Sequence, residues 1–211
     1  ISSIILRDLR ITLEGQEILY VKKIQLNYQP HNIIFKTLII NKFEIDSLKA
    51  AIIKDKDSIW NFSKLPLSKE KEEKIDTVKA FDYYIKIKSF KIVNANIRYF
   101  DELQSLSDNS KFSDLNFQNL NLDFSASLDF SKEKHRLNLS NLKFELRPFN
   151  FKLNKFNFNF LYDKNAVSLS DFNIETENNK LNLNANLNFP ESILSSNISV
   201  DSILNKTNYK L

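Results

Sequence analysis

The chain contains no cysteine, a single glycine, Gly15, and four prolines among its 211 residues. The absence of cysteine excludes disulfides, zinc–thiolate sites and thiol catalysis. With one glycine, the chain also cannot form a glycine-rich phosphate loop or a Gly-x-Ser-x-Gly nucleophile elbow. Tight hairpin turns normally use glycine, so we expect looser turns built from Asn, Asp, Ser and Lys.

The sequence also lacks a long hydrophobic run and a strong charge of either sign. No stretch approaches the roughly 20 apolar residues that a membrane span requires. The 30 basic and 26 acidic residues give a net charge of +4, spread along the chain. This balance does not indicate nucleic acid as a partner. The chain starts with Ile1 rather than Met, and we expect it to be a segment of a longer protein.

What the chain does have is apolar residues at alternate positions. Residues 181–189 place Leu, Ala or Phe at every odd position and Asn at every even one. The same period of two recurs over 120–130 and 156–160, and it is typical of β-strands with one apolar and one polar face. Such a sheet must cover its apolar face with something. Packing against another part of the chain and contact with lipid both remain open at this point.

The order of strands and breaks divides the chain into two β sections. In residues 1–65 partial alternation predicts strands over 5–13, 19–28, 33–40, 43–48 and 50–53. Residues 66–80 are densely charged and predict a linker or a short helix. Residues 81–211 form the second section, continuous with the first, with longer and more regular strands. Short spacing between strands favours an antiparallel meander, which could close as a sandwich or barrel or remain a long trough.

Several segments resemble the membrane-proximal region of the AsmA-like and TamB family of diderm bacteria. Residues 4–11 read Ile-x-Leu-x-Asp-Leu-x-Ile, and 33–40 and 57–65 follow in the family's order. The last of these, Asp-Ser-Ile-Trp-Asn-Phe-Ser-Lys-Leu, is similar to the family's "dG.wNf..L" tail, with Ser58 in place of the usual Gly. Residues 167–176 are similar to a second family stretch.

The resemblance implies an all-β fold: a long, curled antiparallel sheet that forms an elongated groove, a β-taco, with at most one short helix. It implies a periplasmic protein anchored in the inner membrane through a segment upstream of this one. The implied role is phospholipid transport to the outer membrane, in the manner of chorein-like bridge proteins, without catalysis. The alternative it implies is outer-membrane protein assembly with a BamA-family barrel.

In such a groove the alternating apolar residues would contact phospholipid acyl chains. The predicted groove-lining residues are Leu120, Leu122, Phe124, Ala126, Leu128, Phe130, Phe156, Phe158, Phe160, Leu181, Leu183, Leu187 and Phe189.

Other distinctive residues predict structural roles. Trp60 lies near a turn, and we expect it to pack on the end of a sheet. His31 and His135 lie in separate polar breaks without a carboxylate or second His at ligand spacing, so we expect no catalytic or metal site and no cofactor. Acidic residues in the breaks do not match the ligand spacing of a calcium loop and predict turns.

Overall fold

The computed structural model describes residues 2–65, 82–106, 110–164, 166–188 and 208–210. They form one ten-stranded sheet in which the strand order equals the chain order. Strands from both predicted sections therefore belong to the same sheet, and the predicted all-β class is confirmed. The strands are β1 Ser2–Leu13, β2 Gln16–Tyr28, β3 Thr37–Lys54, β4 Tyr84–Asp101, β5 Asp114–Asp129, β6 Lys134–Arg147, β7 Phe151–Asp163, β8 Ala166–Thr176, β9 Lys180–Asn188 and β10 Asn208–Lys210.

Helical structure is confined to short turns in the described ranges. One α-helical turn, α1 Glu102–Ser105, begins where the Asp101 carboxylate accepts a hydrogen bond from the Gln104 N–H at 3.0 Å. The 3₁₀ segments are Pro30–Phe35, Asn61–Lys64 and Ser110–Phe112. The charged stretch 66–80, for which a linker or helix was predicted, lies outside the described residues.

The sheet is antiparallel except where β3 meets β4. These two strands are parallel, with Thr37 opposite Tyr84 and Lys54 opposite Asp101. The predicted antiparallel meander therefore misses this junction. Parallel neighbours require a connection of a dozen or more residues, and alternation of apolar residues carries no information about strand direction.

Two predicted element boundaries in the first section are wrong. The predicted strand over 33–40 is split, because Pro30–Phe35 forms a 3₁₀ helix with proline in its first turn. The predicted strands over 43–48 and 50–53 merge with its second half into β3. The predicted break at Lys49 is absent, and the irregular residue inside β3 is Ser47, whose φ of 54° is left-handed. That residue reverses the alternation without ending the strand.

The same local device recurs in five strands. Asp8, Ser47, Asn94, Asn119 and Asp171 all have φ between 52° and 54°. Each is the third residue of a tetrapeptide whose first and fourth residues are apolar, as in Phe117-Gln118-Asn119-Leu120. A left-handed residue inside a strand adds one residue to the alternation of side chains between the two faces. The apolar side chains therefore change from odd-numbered to even-numbered positions, or from even to odd, after that residue. Asn, Asp and Ser tolerate this conformation better than other non-glycine residues, which suits a chain with one Gly.

The consequence is one apolar face that continues across the sheet. The backbone register places one apolar residue of each strand beside the next, and one row crosses nine strands without a polar residue. This row consists of Leu6, Ile24, Ile45, Ile92, Leu122, Leu142, Phe156, Ile174 and Leu181.

The described strands form a single layer. Their extensive contacts join sheet neighbours only, and β1 and β10 are the two outer strands. Few apolar residues among those described are buried; they are Ile18, Val21, Ala95, Leu139 and Leu153. The sheet is thus neither closed into a barrel nor paired with a second sheet within the part of the chain that the structure describes.

Candidate functional site

The candidate site is the apolar face of the sheet, defined by its rows of cross-strand neighbours. We name the nine-residue row from Leu6 to Leu181 the central row. A second row runs parallel to it through Ile4, Leu26, Phe43, Phe90, Phe124, Leu139 and Phe158. A third runs through Tyr28, Ile40, Ile87, Ala126, Leu137, Phe160, Leu169 and Ala185.

Most of the predicted groove-lining residues occupy this face. The register brings together Leu122, Phe124 and Ala126 of β5 with Phe156, Phe158 and Phe160 of β7, through Leu142, Leu139 and Leu137 of β6. In β5, Leu120 lies opposite Ala95 of β4, and Leu128 lies opposite His135 of β6. In β9, Leu181 lies opposite Ile174 and Leu183 lies opposite Phe172.

Three predicted residues fall at or beyond the margin. Phe130 follows the end of β5, and its ring centroid lies 5.2 Å from that of His135. The backbone of Leu187 pairs with Val167 and Tyr209, but its side chain lies outside the described residues. Phe189 also lies outside them.

The prediction omitted the half of the face that β1–β4 supply. Phe43 and Phe90 belong to it and lie side by side across the parallel junction, with ring centroids 5.2 Å apart. Phe90 also stacks on Phe124 at 4.6 Å. These residues were missed because the left-handed residues interrupt strict alternation. The spacing apolar-x-(Asn/Asp/Ser)-apolar inside a strand is the signal that would have found them.

Side chains on the face pack sideways against one another. Phe156, for example, contacts Phe158 at 5.5 Å and Phe172 at 5.4 Å between ring centroids. At both ends of the central row the side chains are open, since Leu6 is 50% exposed and Leu181 is 54% exposed. An apolar surface this extensive is unusual for a soluble monomer and is typical of surfaces that contact another molecule.

The opposite face is polar and is held by ion pairs and amide hydrogen bonds. Lys23 and Lys42 contact the Glu44 carboxylate at 2.8 and 2.9 Å. The hydrogen bond from Lys23, followed by that from Lys42, lowers the pKa of Glu44 below its ordinary value. Arg98 makes a bidentate contact with Asp114, which lowers the pKa of that carboxyl. These pairs keep the second face suited to water.

Amide side chains on the polar face satisfy the backbone at the left-handed residues. The N–H of Asp171 donates to Asn184 Oδ1 at 2.8 Å, and Asn157 Nδ2 donates to the Asp171 carbonyl at 2.7 Å. The Asn residues that alternate with Leu in β9 therefore include one that fixes the neighbouring strand.

The Trp60-Asn61-Phe62 segment closes one end of the sheet. Asn61 Nδ2 donates to the Ala51 carbonyl at 2.7 Å, and Asn61 Oδ1 accepts from the Ile53 N–H at 3.1 Å. The Trp60 ring lies 5.7 Å from that of Phe62. Its position agrees with the predicted packing on a sheet end, and the buried amide replaces a neighbouring strand at this point of β3.

Residues typical of catalysis are dispersed. His135 stacks on Tyr162, with ring centroids 5.5 Å apart, at the margin of the apolar face. His31 lies in the Pro30–Phe35 segment. Within the described ranges, no group of three or more His, Cys, Asp or Glu residues is placed to hold a metal ion.

The helical segments are too short for a membrane crossing. Among the described residues, none of them reaches the length and apolar character that a bilayer-spanning helix needs. Comparison with family models, with curated proteins and with solved structures found no match to this chain.

Proposed function

We propose that this chain is a lipid-conducting segment, in which phospholipid acyl chains lie along the apolar face of a β-groove and move across successive strands. It would serve in the periplasm of a diderm bacterium, as part of a longer protein anchored in the inner membrane, and would carry phospholipid toward the outer membrane. No catalytic step is involved.

The observation that supports this proposal is the central row. It contains nine apolar residues from nine successive strands. At about 4.8 Å between strands, it extends for roughly 38 Å. The hydrocarbon core of a bilayer is about 30 Å thick for two leaflets, so the row is longer than one acyl chain.

The energetics favour retention of a lipid together with movement along the row. Each methylene buried against an apolar surface contributes about 0.8 kcal/mol, so partial cover of two tails gives a favourable free energy of binding. Because successive strands present chemically similar side chains, a shift by one strand changes this energy little. A polar pocket within the path would instead stop the lipid, and the central row has no polar member.

Photo-crosslinking from matched neighbouring positions tests the proposal. A photoreactive residue replaces Phe156 or Leu183 on the apolar face, or the adjacent Lys155 or Asn182 on the polar face. Neither control side chain makes a hydrogen bond or ion pair with any other described residue. We expect phospholipid to be captured from Phe156 and Leu183 and not from the controls. Equal capture from both faces, or none from either in the folded protein, would contradict the proposal.

A second candidate function is assistance to outer-membrane β-proteins, with a BamA-family partner. The outer edge of β1 favours it, because among the described strands β1 pairs only with β2. A free edge beside an exposed apolar face can accept a further strand from another chain. Probes at Ser3 or Arg7 that capture nascent outer-membrane protein, with no lipid captured from Phe156, would favour this function over lipid transport.

A further inference from the structure

A recess lies on the polar face of the sheet, on the other side from the apolar rows. It has a volume of about 670 Å³ and spans strands β4 to β8. This lies within the range of roughly 300–1,000 Å³ that is typical of small-molecule sites. Small hydroxyl and amide side chains line it, among them Ser125, Ser127 and Asn138, and they leave room between the longer cationic side chains around them.

Three cations converge on this recess. The register places Lys86, Ser127 and Arg136 next to one another on β4, β5 and β6. Lys88 lies two residues further along β4 and lines the same recess. The two flanking strands are about 10 Å apart, a distance that a lysine and an arginine side chain can both reach across toward a common ligand.

These cations differ from most others on the sheet because they have no acidic partner. None of the three makes an ion pair among the described residues, whereas the nearby carboxylates of Asp129 and Asp163 contact Lys132 and Lys134. Of the described residues that line the recess, none carries a carboxylate. Asp171, which directly follows the lining residue Ser170, accepts a hydrogen bond from Asn159 at 2.6 Å. The recess therefore concentrates positive charge that the protein does not neutralise.

We propose that this recess binds a phosphate group carried by a hydroxyl-bearing small molecule. Arg136 supplies the planar fork of donors that suits phosphate oxygens, and Lys86 and Lys88 supply point charges beside it. The hydroxyls of Tyr84 and Ser127, 3.0 Å apart, are positioned to donate to the phosphate or to accept from a ligand hydroxyl. Asn138 provides a further donor and acceptor for the polyol part.

The site is independent of the lipid path, because the side chains that form it point away from the apolar face. Two sources could present the same chemistry: the glycerophosphate headgroup of a phospholipid and a soluble sugar or glycerol phosphate. Titration with glycerol 3-phosphate tests the soluble source, and vesicles of phosphatidylcholine with or without phosphatidylglycerol test the lipid source. Glycerol alone serves as the uncharged control.

The decisive comparison uses two triple variants of equal charge. K86Q/K88Q/R136Q removes the cations of the recess. K22Q/K111Q/K155Q removes three exposed lysines elsewhere that form no ion pair with a described residue. Each variant changes the formal net charge from +4 to +1, so general electrostatic attraction falls equally. We expect at least tenfold weaker binding of glycerol 3-phosphate, or of phosphatidylglycerol vesicles, for the recess variant alone. Circular dichroism of both variants confirms that the fold is kept.

The outcomes separate the possibilities. If only the recess variant loses affinity for glycerol 3-phosphate, the soluble source is supported. If only the recess variant loses affinity for phosphatidylglycerol vesicles, and glycerol 3-phosphate does not bind, the lipid headgroup is supported. Equal weakening in both triples shows non-specific attraction and overturns the proposal. Absence of binding of either probe to the unaltered chain overturns it as well, whatever the crosslinking at Phe156 shows for the apolar face.

Discussion

The backbone N–H of Asn119 in β5 donates to the side-chain oxygen of Asn96 in β4, 3.4 Å away. A second hydrogen bond between the same two strands runs in the opposite direction: the N–H of Asn94 in β4 donates to Asn121 Oδ1 in β5 at 3.3 Å. Asn94 and Asn119 are the left-handed residues of their strands. Each strand thus supplies the amide that satisfies the backbone of the other where the alternation reverses.

A β-branched residue at such a position should destabilise the sheet. Within the described part of the chain the Asn119 side chain makes no hydrogen bond, so its replacement tests the backbone conformation alone. We expect Asn119→Val to lower the free energy of unfolding by about 1–2 kcal/mol, because a side chain in the left-handed region clashes with the following carbonyl. Asn116→Val in the same strand, at an extended position, is the control and should be nearly neutral. Urea unfolding measures the free energy of unfolding of both variants. Equal losses would show that the exchange of Asn for Val, and not the left-handed backbone at Asn119, causes the destabilisation.

The buried amide of Asn61 should be important for the end of β3. Asn61→Ala leaves the Ile53 N–H and the Ala51 carbonyl without their partner, and an unsatisfied buried group costs about 1–3 kcal/mol. We expect a loss in this range by urea unfolding, while Ser63→Ala in the same turn should cost less because its hydroxyl is exposed. A neutral Asn61→Ala would show that water can replace the amide.

Stability should fall in acid through carboxylates that the fold keeps charged. The pKa of Glu44 is lowered by hydrogen bonds from Lys23 and Lys42. In the unfolded chain a Glu titrates near about 4.3, so the unfolded state takes up the proton first. The contribution of Glu44 is therefore complete above that value and is lost as the pH falls through the folded pKa.

The test of this dependence is the free energy of unfolding from pH 7 to pH 3. Glu44→Gln should lower stability at neutral pH and flatten the decline below about pH 5, since one linked proton is removed. Glu177→Gln is the control, because Glu177 is exposed and makes no ion pair among the described residues. If the free energy of unfolding of Glu44→Gln declined with pH as steeply as that of the unaltered chain, the lowered pKa of Glu44 would be contradicted.

The open ends of the apolar face predict unequal costs for polar substitutions. Leu6 and Leu181 are about half exposed, whereas Val21 is 3% exposed. We expect Leu6→Asn and Leu181→Asn to change the free energy of unfolding by less than about 1 kcal/mol, and Val21→Asn to cost about 2–4 kcal/mol through lost burial and an unsatisfied amide. Comparable losses at all three positions would indicate that another layer covers the ends of the face.

Sequence periodicity predicted the one-faced strands well where the alternation is uninterrupted. Leu181 and Leu183 of β9 were assigned correctly to one face from spacing alone. In β3 the same reasoning failed at Ser47, because a left-handed residue changes the face of every residue after it. The exposed pair Ile34 and Phe35 resembled the start of a strand, but Pro30 favours the helical turn that contains them.

The parallel junction and the polar recess could not be predicted from local pattern. The direction of β4 relative to β3 depends on the path of the segment that connects them. The spacing of apolar residues within the two strands carries no information about that path. The approach of Lys86 to Arg136 depends on the register of three strands, and these residues are 50 positions apart in the chain. Only the assembled sheet places them together.

Because each strand adds one residue to the central row, the reach of this architecture is set by the number of strands and not by their length. Duplication of a hairpin would extend the surface by about 10 Å and leave its cross-section unchanged. A span of 100 Å would take about 22 strands at the same spacing. A sheet of this design can therefore gain a longer apolar face by tandem duplication of hairpins, without redesign of any existing contact.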